Sequence, residues 1–105
     1  MAGIRVFLTA LVALAFACGA AISAERAIIV LDGSGSMWAQ VGGKARIVIA
    51  RETLDTVLAE LPADLELGLM SYGHREKGNC ADIEMLVPAG ADTADRISAA
   101  AHKIN

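Results

Sequence analysis

Arg26-Ala27-Ile28-Ile29-Val30-Leu31-Asp32-Gly33-Ser34-Gly35-Ser36 is the stretch that decides the fold. Ala27 to Leu31 are apolar without a break, and Ile28, Ile29 and Val30 are β-branched. A strand exposed on one face would alternate; an unbroken run predicts a strand buried on both faces of a parallel sheet. Asp32-Gly33-Ser34-Gly35-Ser36 then stops it with loop-forming residues.

Working outward, Lys44–Leu61 places Ile47, Ala50, Leu54, Val57, Leu58 and Leu61 at helical spacing. Arg46, Glu52, Asp55 and Glu60 occupy the polar positions, and Pro62 ends the element. Leu65–Tyr72 reads as a second strand, Gly73–Ala81 as a polar loop, and Ile83–Val87 as a short third strand closed by Pro88. Asp92 is the expected N-cap of a last helix carrying Ile97, Ala100, Ala101 and Ile104. Strand, long helix, strand is a βαβ unit, which pairs its strands in parallel. The expected class is α/β, a Rossmann-like open sheet with helices on both faces, incomplete at its C-terminus. The first strand is apolar enough to be central, yet too few strands follow to flank it, and an edge there would expose unpaired backbone. The expectation is the front half of a larger domain.

The 105 residues hold 9 basic and 12 acidic side chains, but Arg5 is the one charge in residues 1–24. Without those 24 residues the net charge is −4 and the apolar share falls from 55% to about 48%, ordinary for a globular chain. Met1–Arg5 gives a positive start, Val6–Ala17 an uncharged apolar run, and Ile22-Ser23-Ala24 a small-residue site. That order predicts a secretory signal over 1–24, cleaved after Ala24, with 25–105 exported to the periplasm or the exterior. Two alternatives stay open. Val6–Ala24 could just span a bilayer as an uncleaved anchor, and Cys18 could carry a lipid, although Ala15 stands where Leu is usual. Export favours disulfides, and after cleavage Cys80 is left without a partner in this chain. A mildly acidic chain with no basic cluster shows no footprint for nucleic acid, and no membrane contact is implied beyond the signal segment.

Asp32, Ser34 and Ser36 offer one carboxylate and two hydroxyls at alternate positions, where a parallel strand ends. Open α/β sheets bind ligands at that edge. Hard oxygen donors with few charges suit a small divalent ion such as Mg²⁺, which keeps several waters. Other Gly-rich sites fit poorly. A dinucleotide fingerprint needs glycine where Trp38 stands. A phosphate loop ending at Gly43-Lys44 fails at Trp38 and again at Ala45, and a nucleophile elbow is absent because Asp32 precedes Ser34 by two.

Ile29-Val30-Leu31-Asp32-Gly33-Ser34-Gly35-Ser36-Met37 resembles the opening of the von Willebrand factor type A (vWA) domain, with its D-x-S-x-S metal-ion-dependent adhesion site. The resemblance continues through the Lys44–Leu61 helix and Gly68-Leu69-Met70-Ser71-Tyr72-Gly73, and is closest to exported bacterial members. It implies that Ser34 and Ser36 hold Mg²⁺ (or Mn²⁺) through their hydroxyls, with Asp32 ligating directly or through water. It further implies a protein partner whose carboxylate completes the coordination sphere. The family also uses a Thr and a second Asp from later loops; Thr93 and Asp92 lie at a helix start and do not match those positions.

The expected function is a metal-dependent protein-binding module and not an enzyme. The alternatives are a truncated, inactive portion of such a domain and, further off, a serine hydrolase pairing Ser34 or Ser36 with His74 or His102. His74 reads as part of a solvated loop tip, and His74 with Cys80 makes too few ligands for zinc. Cys80 is expected to pair with a cysteine downstream. Met37 and Trp38 are expected to pack beneath the loop, with a place on a ligand rim as the alternative, and His102 to sit on the surface or face the helix dipole.

Overall fold

The computed structural model describes residues 24–105; the expected signal segment and Cys18 lie outside the described residues, except for Ala24. Strand β1 (Arg26–Asp32) leads through a 3₁₀ turn (Gly35–Trp38) into two short strands, β2 (Gln40–Val41) and β3 (Lys44–Ala45). Helix α1 (Arg46–Glu60) follows, then β4 (Glu66–Tyr72), β5 (Ile83–Gly90) and helix α2 (Ala94–His102). The chain is thus a small mixed α/β unit. Its main sheet has the order β1-β4-β5, with β1 and β4 parallel and β5 antiparallel to β4.

Pairing runs from Arg26 opposite Glu66 to Asp32 opposite Tyr72. The parallel βαβ unit is therefore present, and it aligns the ends of β1 and β4. Alternate residues of the strands (Leu31, Leu67, Leu69 and Val87) meet Leu54 of α1, Ile97 and Ala101 of α2 and Ile104 just past its end in one core. Both helices contribute to that single core, so they cover one face of the sheet and not both as expected. The other face carries Ile28, Val30, Tyr72, Ile83 and Met85, all exposed. Accordingly β1 is an edge strand with one open face, where the unbroken apolar run predicts a doubly buried one; Val30 is 58% exposed.

Several boundaries differ from expectation for local reasons. Lys44 and Ala45 belong to a hairpin with Gln40 and Val41, so α1 starts at Arg46. The turn is Gly42-Gly43, both at positive φ, which is the two-residue geometry that matches strand twist. Val57, expected inside, is exposed on α1. Strand β5 continues through Pro88 to Gly90, because an edge strand tolerates a missing N–H. The cap of α2 is Thr93, not Asp92, which takes a positive φ of 54°. The buried Thr93 hydroxyl donates to the Leu67 carbonyl at 2.6 Å and ties the helix start to β4.

Polar contacts join the helices. Arg51 of α1 donates from Nε to the Ala101 carbonyl at 2.9 Å and from Nη2 to the Ile104 carbonyl, satisfying groups at the end of α2. Its guanidinium also lies over the Trp38 ring, 5.7 Å from the centroid. Asp55 accepts from the Ser98 hydroxyl at 2.6 Å and lies 2.8 Å from His102 Nε2. Among the described residues no helix is long and apolar enough to cross a membrane.

Candidate metal centre

Strand β1 delivers Asp32 to the C-terminal edge of the sheet, and the Gly33 N–H extends the ladder by donating to the Tyr72 carbonyl at 3.0 Å. The Ser34 N–H then turns back to Asp32 Oδ1 at 2.9 Å, an Asx turn that reverses the chain. Met37 N–H donates to the Ser34 carbonyl at 2.9 Å and opens the 3₁₀ turn, bringing Ser36 beside Ser34. Their hydroxyl oxygens are 3.2 Å apart.

That spacing tests the fit of an ion. Two oxygens at right angles around Mg²⁺, each about 2.1 Å away, stand about 3.0 Å apart; around Ca²⁺ the same pair stands about 3.4 Å apart. The Ser34–Ser36 separation lies between these values, and it is also that of the hydrogen bond the two hydroxyls share. The hydrogen bond from the Ser34 hydroxyl holds the Asp32 carboxyl below the usual range; partial burial opposes this, while the Ser34 N–H and the Tyr72 hydroxyl reinforce it. Asp32 is therefore ionised at neutral pH, and the hydrogen bond it accepts from the Tyr72 hydroxyl, with burial and the carboxylate charge adding to it, pushes the Tyr72 phenol up. Among the described residues no three His, Cys, Asp or Glu side chains gather, at this loop or elsewhere.

The floor of this loop is the turn after β4. A Cβ on Gly33 would stand 2.6 Å from His74 Cβ and 2.9 Å from Ser71 Oγ, so only glycine lets the two segments meet. Ser71 is fully buried and donates its hydroxyl to the Leu31 carbonyl at 2.9 Å, locking the ends of β1 and β4 together. His74 is not the solvated tip expected. Its side chain is 8% exposed, with Nε2 3.1 Å from Glu84 and Nδ1 buried without a hydrogen-bond partner.

Beyond it, segment 73–82 is organised by Asp82. Its carboxylate accepts from the Arg75 and Glu76 N–H groups at 2.6 and 2.8 Å and from Arg75 Nε at 2.7 Å. The Arg75 contact, aided by those N–H groups and opposed by burial, lowers the Asp82 carboxyl to about 2. Arg75 also reaches Glu84 at 2.9 Å. Cys80 is a free, exposed thiol. Trp38 is half exposed beneath Arg51 instead of packed under the loop, and His102 lies on the helix surface against Asp55.

The structure thus brings Asp32, Ser34 and Ser36 together. Ser71, Tyr72 and His74 support them, a role the sequence reading did not assign to any of the three. Ser71 had a signal: it interrupts the core-facing series Leu65, Leu67, Leu69, where a buried hydroxyl must find a partner. His74 had none, because its burial depends on segment 73–82 folding back over the sheet edge. Searches against protein-family models, curated proteins and solved structures find no match to this chain.

Proposed function

We propose that this chain is a metal-ion-dependent protein-binding module of the vWA type. The observation carrying this reading is the convergence of the Ser34 and Ser36 hydroxyls, 3.2 Å apart, beside the lowered carboxyl of Asp32 at the end of a parallel strand. Ser34 and Ser36 would hold Mg²⁺ or Mn²⁺ directly and Asp32 directly or through water. When bound, the ion supplies a Lewis-acidic contact for a carboxylate oxygen of a protein partner. Asp32 provides the charge that retains the ion, and the Ser71 and Gly33 contacts hold the loop in ligating geometry. Export to the periplasm or exterior completes the reading, on the pattern of residues 1–24.

Two alternatives have observations of their own. The bare sheet face favours an inactive portion of a larger domain, in which case the protein would show no cooperative unfolding transition. A serine hydrolase finds less support: the motif serines face each other, while His74 and His102 engage Glu84 and Asp55.

The test is paramagnetic. Substoichiometric Mn²⁺ should broaden the amide signals of residues 32–37 first, Mg²⁺ should compete the broadening away, and Asp32→Ala should abolish it while leaving the remaining spectrum in place. Uniform or absent broadening overturns the proposal.

A further inference from the structure

The two edges of the main sheet differ. Strand β5 carries Glu84, Pro88 and two register shifts against β4, all features that spoil an edge for a further strand. Strand β1 has none of them. Ala27–Leu31 hold no charge and no proline, and the pairing with β4 runs in unbroken register. Among the described residues no strand lies on the outer side of β1.

The phase of the ladder fixes which backbone groups face outward. The Glu66 N–H donates to the Glu25 carbonyl at 2.9 Å, and the Gly33 N–H to the Tyr72 carbonyl at 3.0 Å. Odd-numbered residues of this segment thus turn their backbone groups towards β4. Those groups alternate along a strand, so Arg26, Ile28, Val30 and Asp32 present theirs to the free edge.

A second copy of β1, laid antiparallel with Ile29 on the two-fold axis, satisfies all of them. Arg26 then stands opposite Asp32 of the second copy and Ile28 opposite its Val30, and each pair exchanges both N–H···O bonds. These residues share one face of the sheet, with the apolar pairs in the middle and opposite charges at each end. Slipping the register by two residues keeps the hydrogen-bond phase but loses the charge match. A parallel alignment in register sets like charges side by side. Arg26 lies 2.7 Å from Glu66 of its own chain, yet its side chain is 70% exposed and open to a second carboxylate.

We infer that two copies of this chain associate through β1, antiparallel and centred on Ile29, joining their three-stranded sheets into one. An edge contact of seven residues buries little surface, so the dimer belongs to the weak, reversible class. This goes beyond the metal-dependent reading and does not depend on it.

Disulfide trapping in the full chain, with Cys18 and Cys80 replaced by serine, tests the register. Ile28→Cys and Val30→Cys change side chains that are exposed, so folding should survive both. Directly opposed residues in such a pair have Cα atoms about 5.5 Å apart, within disulfide reach, whereas two copies of one position sit on a diagonal beyond about 7 Å. Oxidising a mixture of the two variants should therefore link dimers about fivefold faster than oxidising either alone. Arg26→Glu in both chains should cut that rate about threefold, the range of an exposed ion pair, and Arg26→Lys should keep it. Ile83→Lys, two strands from the edge, should leave it unchanged. Single variants that link as fast as the mixture, no linked dimer, or indifference to Arg26→Glu each overturn the inference. Loss of the product in Ile83→Lys also overturns it, and would show the open sheet faces packing on each other instead.

Discussion

Gly33 leaves no space for a methyl group, which makes it the most sensitive single position near the site. In Gly33→Ala the new Cβ would meet His74 Cβ at 2.6 Å, and neither backbone nor the root of a buried side chain yields cheaply. Overpacking of this kind costs about 1–3 kcal/mol, and each kcal/mol corresponds to about 4–8 °C in Tm for a domain of this size. Thermal unfolding by circular dichroism should show that drop. Ser71→Ala removes the hydroxyl bridge to Leu31 from a fully buried position and should cost about 1 kcal/mol in denaturant unfolding. Asp82 predicts a pH dependence of definite sign. Its carboxyl is lowered in the folded protein from 3.8 to about 2, so the stabilisation it gives is complete above about pH 4 and is lost as pH falls towards 2. Asp82→Asn should be less stable than the parent at pH 5, with the gap closing near pH 2; a pH-independent difference would show that Asp82 acts through shape alone.

At the scale of elements, Arg51 holds more together than its place on α1 suggests. It satisfies carbonyls at the end of α2 and stacks on Trp38 of the 3₁₀ turn, linking the helical layer to the Asp32–Ser36 loop. Arg51→Met keeps the aliphatic stem and removes the donors, so it should destabilise by about 2 kcal/mol and alter the Trp38 fluorescence maximum in the folded state. Which elements were legible in the sequence follows from their physics. The α1 period and the apolar run of β1 are long enough to declare themselves, and the D-x-S-x-S spacing made Asp32, Ser34 and Ser36 readable as one cluster. The β2–β3 hairpin was missed because two-residue strands have no periodicity, although Gly42-Gly43 was a usable turn signal. Arg51 and His74 were unreadable because their partners lie 50 and 10 residues away and are chosen by packing.

For the whole molecule, the sequence did not reveal that both helices share one face of the sheet, since a helix pattern marks its apolar side without saying which sheet face it meets. The outcome is an apolar surface of Ile28, Val30, Tyr72, Ile83 and Met85 beside the open edge of β1. Such a patch promotes association. Sedimentation velocity should therefore show concentration-dependent association, and Val30→Lys combined with Ile83→Lys should suppress it. The register of the sheet also sets an order of assembly. Strands β4 and β5 meet across a short connection, Tyr72 to Ile83, whereas β1 must close a far longer loop, Arg26 to Glu66. That closure costs about 1 kcal/mol more in chain entropy and calls on contacts that local structure cannot supply. The β4–β5 ribbon is thus the early partner and β1 the late arrival, as slower amide protection of residues 26–32 in a pulsed hydrogen-exchange experiment would report. Asp32 travels with β1, so the loop that would grip the ion is the last part of the sheet edge to come into existence.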